Sequence, residues 1–249
     1  MITQYFRPKT LEEALQFLAR PDARPLGGGT FLSHIIGESF SVVDLQALGL
    51  NKINQTGDRL EIGASVTLQA LLESSSTPEA IKTALLLEAP LNLRTMATVA
   101  GSLVTCDGRS PFAVGMLALD AGIVFAPANE QISLGNYLPI RLGSTGAHME
   151  KLITTVIIPM NARLTFNSVA RTPSDKPIVC AALAQWPSGR TRLALGGHGI
   201  SPTLALDGTA PDGLEEAARN AFAEAGDEWA SKEYRSEIAA VLAKRCLEE

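Results

Sequence analysis

The chain has 249 residues, of which 46% are hydrophobic, and its formal net charge at pH 7 is −5. This composition suffices for one large domain or two to three modest ones with a sizeable core, and it excludes a long disordered tail. The acidic balance and the lack of any run of Lys and Arg disfavour nucleic acid and anionic membranes as partners, since basic clusters hold both.

The cysteines and the apolar segments indicate in which compartment the protein is expected and whether it crosses a membrane. Cys106, Cys180 and Cys246 stand far apart, without the spacing of a zinc site, so reduced thiols and a cytoplasmic protein are expected. The N-terminus has no basic segment followed by an apolar run, which argues against a signal peptide. The longest apolar stretch, 112–126, is interrupted by Asp120 and is too short to cross a bilayer.

The first 54 residues are predicted to form a small β-α-β unit. Residues 2–7 alternate enough for a short strand, and Thr10 is a suitable N-cap for a helix with one apolar face. A turn near residue 22 leads into a brief strand and a run of glycines, and residues 41–45 form a further strand.

The glycine run Leu26-Gly27-Gly28-Gly29-Thr30-Phe31 is the most informative feature of this unit. Glycines permit φ > 0 and let an extended ligand lie directly on the main chain. Consecutive N–H groups in such a turn converge on a concavity that suits phosphate oxygens. The run is therefore a candidate phosphate cradle; the alternative is a tight surface turn, because isolated glycine motifs are weak signals.

Residues 55–160 are predicted to form a second unit, which contains a second candidate loop. The predicted elements are a strand at 59–64, helices that begin at Thr67 and Pro78, a helix at 111–121, and strands at 123–126 and 152–158. Between the helices, Thr98–Ser102 has hydroxyls at both ends and small residues between them. Two such loops would hold a dinucleotide pyrophosphate from both sides, with backbone dipoles in place of lysine.

From residue 161 the composition shifts to strands joined by Pro- and Gly-containing turns. Three strands at 164–170, 178–186 and 191–196 and two helices at 214–225 and 233–246 are predicted. These elements make a separate C-terminal domain with a three-stranded antiparallel sheet and helices. Because strands and helices are segregated along the whole chain, the predicted fold class is α+β.

At the two loops the sequence resembles the FAD-binding (medium) subunit of the molybdenum hydroxylases, the xanthine dehydrogenase and carbon monoxide dehydrogenase family. That family has an early Gly-Gly-Thr loop and a later Thr-Ile-Gly-Gly-Asn/Asp loop, which is followed by a Leu-Leu-Ala-Leu-Asp-Ala helix end. The corresponding helix end here is Met116–Ala121. Further matching segments are Phe6-Arg7-Pro8, Arg94, Arg192–Gly197 and Tyr234-Arg235.

The resemblance implies an architecture and a set of cofactor contacts. It implies a two-subdomain FAD-binding domain of the PCMH/VAO-like type, 1–54 and 55–160, followed by a C-terminal domain at 161–249 like that of the carbon monoxide dehydrogenase flavoprotein. The flavin pyrophosphate would lie across the two loops, with further contacts near residues 111, 153 and 167. The residues so implied are Leu26, Gly27, Gly28, Gly29, Thr30, Phe31, Leu32, Ser33, Thr98, Val99, Ala100, Gly101, Ser102, Pro111, Ile153 and Asn167.

The resemblance also implies a function in a heteromeric complex. An iron–sulfur small subunit and a molybdopterin large subunit are the expected partners, and electrons would pass from iron–sulfur clusters through FAD to NAD⁺ or another acceptor. The chain would then be an oxidoreductase subunit that is active only with its partners. The chemistry would belong to the cofactor, so neither a catalytic side chain nor a metal ligand is predicted. His34, His148 and His198 do not cluster in the sequence.

Five positions depart from the pattern of this family and support an alternative. They are Phe31, Ala100, Ser102, Pro111 and Asn167, and each replaces a residue that contacts the cofactor or its loop in the family. If Ala100 had to adopt φ > 0, it would cost about 1 kcal/mol relative to glycine. The alternative function is a flavin-free docking or scaffold subunit that keeps the fold.

Overall fold

A computed structural model describes residues 1–143, 151–173 and 175–249 of the protein, so His148 lies outside the described residues. The chain divides into two compact units, each discontinuous in sequence. The first unit comprises Met1–Glu73, Leu91–Thr105 and Gly122–Ile157; the second comprises Ser74–Pro90, Cys106–Ala121 and Ile158–Glu249. The predicted domain boundaries at residues 54 and 160 stay a prediction.

Strands and helices are numbered along the whole chain. The strands are β1 Ile2–Phe6, β2 Ala23–Leu26, β3 Phe40–Asp44, β4 Ile53–Thr56, β5 Arg59–Gly63, β6 Gly122–Ala126, β7 Glu130–Ser133, β8 Leu152–Pro159, β9 Arg163–Val169, β10 Val179–Gln185, β11 Thr191–Gly196 and β12 Thr203–Gly208. The helices are α1 Leu11–Leu18, α2 Leu68–Glu73, α3 Glu79–Glu88, α4 Leu91–Arg94, α5 Val99–Thr105, α6 Pro111–Ala118, α7 Leu134–Gly143, α8 Leu214–Ala221 and α9 Lys232–Glu248. Together they give the predicted α+β class.

The first unit contains two sheets. One has the order β1-β3-β2, and both of its outer strands run parallel to β3. The helix α1 connects two of these strands, and its N-cap is the predicted one, since Thr10 Oγ1 accepts a hydrogen bond from Glu13 N (3.2 Å). Apolar residues of α1, including Ala14 and Leu18, pack against Val43 of β3 in a buried cluster.

The other sheet of the first unit has five strands in the order β4-β5-β8-β6-β7. Its outer pairs, β4 with β5 and β6 with β7, are antiparallel hairpins. The sequence indicated a turn at residues 132–134 and no strand before it, but residues 130–133 form the edge strand β7, and α7 begins at Leu134. The signal was missed because this strand is short and largely polar, and it is defined by its pairing with β6 rather than by its own pattern.

The second unit contains a four-stranded antiparallel sheet in the order β12-β11-β10-β9. The three predicted strands are present, and a fourth, β12, pairs with β11. Helices α8 and α9 cover the sheet, and their buried residues Leu214 and Leu242 belong to one cluster with Leu183 and Leu193 of the strands. Among the described residues, no helix has the length and the apolar character needed to cross a membrane.

A buried arginine fixes one end of α9 in the second unit. Arg235 is fully buried, and its guanidinium donates to the carbonyl oxygens of Ile178 and Gly197, both at 2.5 Å, and to Asp227 Oδ1 at 2.6 Å. Desolvation raises the pKa of Asp227, but the hydrogen bonds from Arg235 and from the N–H groups of Trp229 and Ala230 outweigh it and lower that pKa. This arginine is therefore a structural residue of the second unit.

Candidate functional site

The two predicted glycine-containing segments come together within the first unit. A Cβ atom at Gly28 would lie 1.7 Å from the carbonyl oxygen of Met96, and one at Gly27 would lie 2.8 Å from Thr98 Oγ1. Real Cβ atoms do not approach other heavy atoms this closely, so the glycines allow the main chain of the first segment to lie directly against the second. The sequence suggested that the glycines let a ligand approach the main chain. In the structure, part of this space is occupied by the second segment, whose residues 96–98 contact the glycines.

The first segment presents unused backbone donors. Gly29 has a φ of 71°, and its carbonyl oxygen accepts a hydrogen bond from Ser33 N (3.1 Å). Within the described part of the chain, the N–H groups of residues 28–31 donate no hydrogen bond. Consecutive free N–H groups suit an anionic ligand such as a phosphate.

The second segment is the start of a helix and not an open loop, which corrects the prediction for Thr98–Ser102. The N–H groups of Val99 and Ala100 donate to carbonyl oxygens of residues 66 and 64, at 2.8 and 3.3 Å. Gly101 N donates to Thr98 Oγ1 (3.2 Å), and Ser102 N donates to Thr98 O (2.8 Å). Because the N–H groups of Val99 to Ser102 are all engaged, these four residues offer no free backbone donors to a ligand.

Ala100 adopts the helical conformation. It lies in α5 and is absent from the described non-glycine residues with positive φ. The cost of about 1 kcal/mol that φ > 0 would impose on an alanine therefore does not arise. One of the five departures from the family pattern loses its energetic consequence.

We expect Thr98→Val to destabilise the first unit by about 1 kcal/mol, since valine keeps the shape but cannot accept the N–H of Gly101, as an N-cap does. The measurement is urea unfolding of the purified protein. Thr98→Ser keeps the oxygen and is the matched control. Equal stabilities of the valine and serine variants would contradict the assignment of Thr98 as a cap.

A cavity of about 240 Å³ lies between these segments and is confined to the first unit. Ten of the predicted residues line it: Gly27, Gly28, Gly29, Thr30, Phe31, Leu32, Thr98, Ala100, Gly101 and Ile153. Leu26, Ser33, Val99 and Ser102 belong to the same two segments without lining the cavity, and Val99 is fully buried in the core. The geometry thus gathers most of the predicted contacts of the first unit around one space, while their role in binding stays a prediction.

Pro111 and Asn167 belong to the second unit. Pro111 is the first residue of α6, after the N-cap Ser110, and Glu88 accepts hydrogen bonds there from Ser110 Oγ (2.8 Å) and Phe112 N (3.1 Å). Burial raises the pKa of Glu88. Asn167 lies on β9 and donates to Glu249 Oε1 (3.1 Å). The predicted cofactor contacts of both residues stay predictions.

Several polar residues line the cavity that the sequence did not single out. Arg24 pairs with Glu38 at 3.0 Å, and Lys151 pairs with Glu130 at 2.5 Å. Exposed pairs of this kind contribute little to stability, and each glutamate balances the charge of its cation, so the two side chains offer N–H donors beside the cavity without net positive charge. Ser65 also lines it. These residues lie at strand ends and turns, and neither a motif nor a periodic pattern marks them in the sequence.

The cavity also has an aromatic side. The rings of Phe125 and Tyr137 both line it, with centroids 5.7 Å apart and planes inclined by 50°. Such a tilted pair offers apolar surface to a ring system. A cavity with free N–H groups at one segment, hydroxyls, two cations and aromatic surface has the donor set that a flavin dinucleotide requires.

Nothing in the described residues indicates a metal centre or a nucleophile. No group of three or more His, Cys, Asp or Glu side chains in the described chain could hold a metal ion. All three cysteines are free and buried, and burial raises the pKa of the Cys180 thiol. A buried thiol with a raised pKa stays protonated and packs in the core, so Cys180 is not a nucleophile.

The cavity, its hydrogen-bond donors and the α+β framework are those of a domain that binds a nucleotide cofactor. Comparison with known proteins identifies the family. Residues 1–161 match the family described as the FAD binding domain in molybdopterin dehydrogenase. The match covers more than half of the chain, so the protein belongs to this family. The predicted family, fold type, FAD cofactor and oxidoreductase character are confirmed.

Individual relatives extend over the whole chain. The carbon monoxide dehydrogenase medium chain of Afipia carboxidovorans is 27% identical, with 98% of this chain and 95% of that protein covered. The protein YgfM of Escherichia coli (strain K12) is 29% identical, with 97% and 94% covered. The crystal structure of Cu,Mo-CO dehydrogenase in its cyanide-inactivated form matches with a TM-score of 0.81 at 26% identity, covering 100% of this chain and 98% of that one.

Proposed function

We propose that this chain is the electron-transfer flavoprotein subunit of a molybdenum hydroxylase complex. Electrons would arrive from iron–sulfur clusters, and NAD⁺ or another acceptor would receive them. The observation that carries the proposal is the cavity of the first unit, where unused N–H groups of residues 28–31 lie opposite the Thr98 segment. When bound, FAD supplies the redox chemistry, and the protein supplies binding and orientation.

Different residues of the first unit would bind different parts of FAD. The free N–H groups of the first segment would hold the pyrophosphate, since backbone donors at a glycine turn fit phosphate oxygens. Lys151 and Arg24 would offer N–H donors near the dinucleotide. Phe125 and Tyr137 would provide apolar contact for a ring. The chain itself moves no proton in this scheme.

The expected partners are an iron–sulfur small subunit and a molybdopterin large subunit, in the cytoplasm. The relatives support a place in an assembly, because the matching dehydrogenase chains of Afipia carboxidovorans and Sulfolobus acidocaldarius are both named medium chains. The substrate of the complex would be selected by the large subunit.

The flavin-free alternative has less support in the structure than in the sequence. The alternative was based on weakened cofactor contacts at five positions. At one of them, Ala100, the helical backbone of α5 imposes no strain. The aromatic Phe31 does not close the cavity; it lines it and is 55% exposed. An open cavity with unused donors is what a binding subunit needs and a scaffold does not.

Fluorescence titration of FAD with the purified, flavin-stripped protein tests the proposal. Free FAD fluoresces, and we expect saturable quenching with one flavin per chain. Denaturing the protein as purified should also release a flavin that is identified by its visible absorbance. Absence of flavin after denaturation, together with no saturable quenching, would reject the proposed function.

A further inference from the structure

One buried hydroxyl of the first unit has no partner. Ser65 Oγ is shielded from solvent, and in the described part of the chain it makes no hydrogen bond. The same residue lines the cavity between the two segments. A buried hydroxyl without a partner is unfavourable in the free protein, so its retention at a cavity wall calls for a ligand atom to complete it.

The backbone around Ser65 is held firmly on both sides. Ala64 N donates to Thr154 O (2.9 Å), and Ser65 N donates to Leu50 O (2.8 Å). The carbonyl oxygens of residues 64 and 66 accept the N–H groups of Ala100 and Val99. The turn that carries Ser65 is thus bonded directly to the start of α5, which fixes the serine beside the second segment.

The hydrogen bonds of the second segment explain why a diphosphate would need a side-chain hydroxyl donor on that side of the cavity. Its own N–H groups, from Val99 to Ser102, are all engaged within the protein. A dianionic diphosphate between the segments would meet consecutive free N–H groups on the Gly28 side and none from Val99 to Ser102. A hydroxyl donor in the adjoining turn supplies the missing hydrogen bond, and bonds to charged acceptors are stronger than neutral ones.

We propose that Ser65 Oγ donates a hydrogen bond to a phosphoryl oxygen of the bound FAD. This inference rests on the proposed function. It assigns to this chain a binding residue that lies outside both predicted segments, in the turn between β5 and α2.

The test is Ser65→Ala in the full chain, with FAD affinity and the thermal stability of the flavin-free protein measured together. We expect FAD to bind about 10- to 100-fold more weakly, as for loss of one hydrogen bond to a charged group. The melting temperature of the flavin-free protein should not fall, because the variant removes an unpartnered polar atom. The ³¹P resonances of bound FAD should shift relative to the wild type.

Ser188→Ala is the matched control, because Ser188 is exposed in the turn between β10 and β11 of the second unit. It should leave affinity and melting temperature unchanged. Wild-type protein that binds FAD, with a Ser65→Ala variant that binds equally well, would overturn this inference and leave the proposed function intact. Parallel loss of melting temperature and affinity would overturn it in favour of a structural role. Failure of the wild type to bind FAD would overturn both.

Discussion

Gly28→Ala is expected to weaken FAD binding severely and to destabilise the first unit by about 3 kcal/mol, the upper part of the usual cost of overpacking. The added Cβ would lie 1.7 Å from the carbonyl oxygen of Met96. That backbone cannot simply yield, because the next residue, Ala97, bonds to Leu93 O through its N–H and to Leu68 N through its carbonyl oxygen, at 2.7 and 2.9 Å. The two segments would have to separate.

FAD affinity should fall at least about 100-fold, since each 1.4 kcal/mol corresponds to a factor of about ten. Fluorescence titration gives the affinity, and urea unfolding gives the stability. Gly208→Ala is the control, because a Cβ there would lie 3.6 Å from Ala210 O, an ordinary contact distance. A Gly28→Ala protein as stable and as competent in binding as Gly208→Ala would show that the segments are not packed as described.

Arg235→Met is expected to destabilise the second unit by about 4 kcal/mol. The change removes a guanidinium that is fully buried and bonded to two carbonyl oxygens and to Asp227. Removing one partner of a buried polar arrangement typically costs about 3–5 kcal/mol, because the buried carbonyl oxygens of Ile178 and Gly197 lose their bonds without regaining water. Urea unfolding at neutral pH measures the loss.

The same pair gives a pH dependence with a defined sign. The folded-state pKa of Asp227 is lowered, so its contribution is fully present above the unfolded-state pKa of about 3.9 and is lost as pH falls through the folded-state value. The stability difference between wild type and Arg235→Met should therefore shrink below about pH 4. Arg219→Met is the control: Arg219 pairs with Glu237 at the surface and should contribute less than about 1 kcal/mol. Equal effects of the two variants would contradict the assigned role of Arg235.

Local signals in the sequence were sufficient for much of the framework. Thr10 caps α1 as its hydroxyl and the following acidic residues predict, and the apolar face of α1 is the buried one. The glycine run stands out in the sequence because three adjacent glycines have a physical cost that only close approach or unusual backbone geometry explains. Both explanations hold here, for Gly28 and Gly29 respectively.

The remaining features depend on partners distant in sequence. Thr98–Ser102 looks like a loop in isolation, but Val99 and Ala100 bond to a turn more than thirty residues earlier, and this anchors α5. The strand β12 was missed because its pairing with β11 defines it more than its own pattern does. Ser65 has no sequence signal, because its significance comes from a missing partner, which only the folded chain reveals.

A crystal structure of the protein with FAD bound tests the binding site most directly. We expect the diphosphate in the cavity of the first unit, within hydrogen-bond distance of N–H groups of residues 28–31 and of Ser65 Oγ. A flavin bound elsewhere on the chain, or a diphosphate that contacts neither Gly28–Phe31 nor the Thr98 segment, would contradict it.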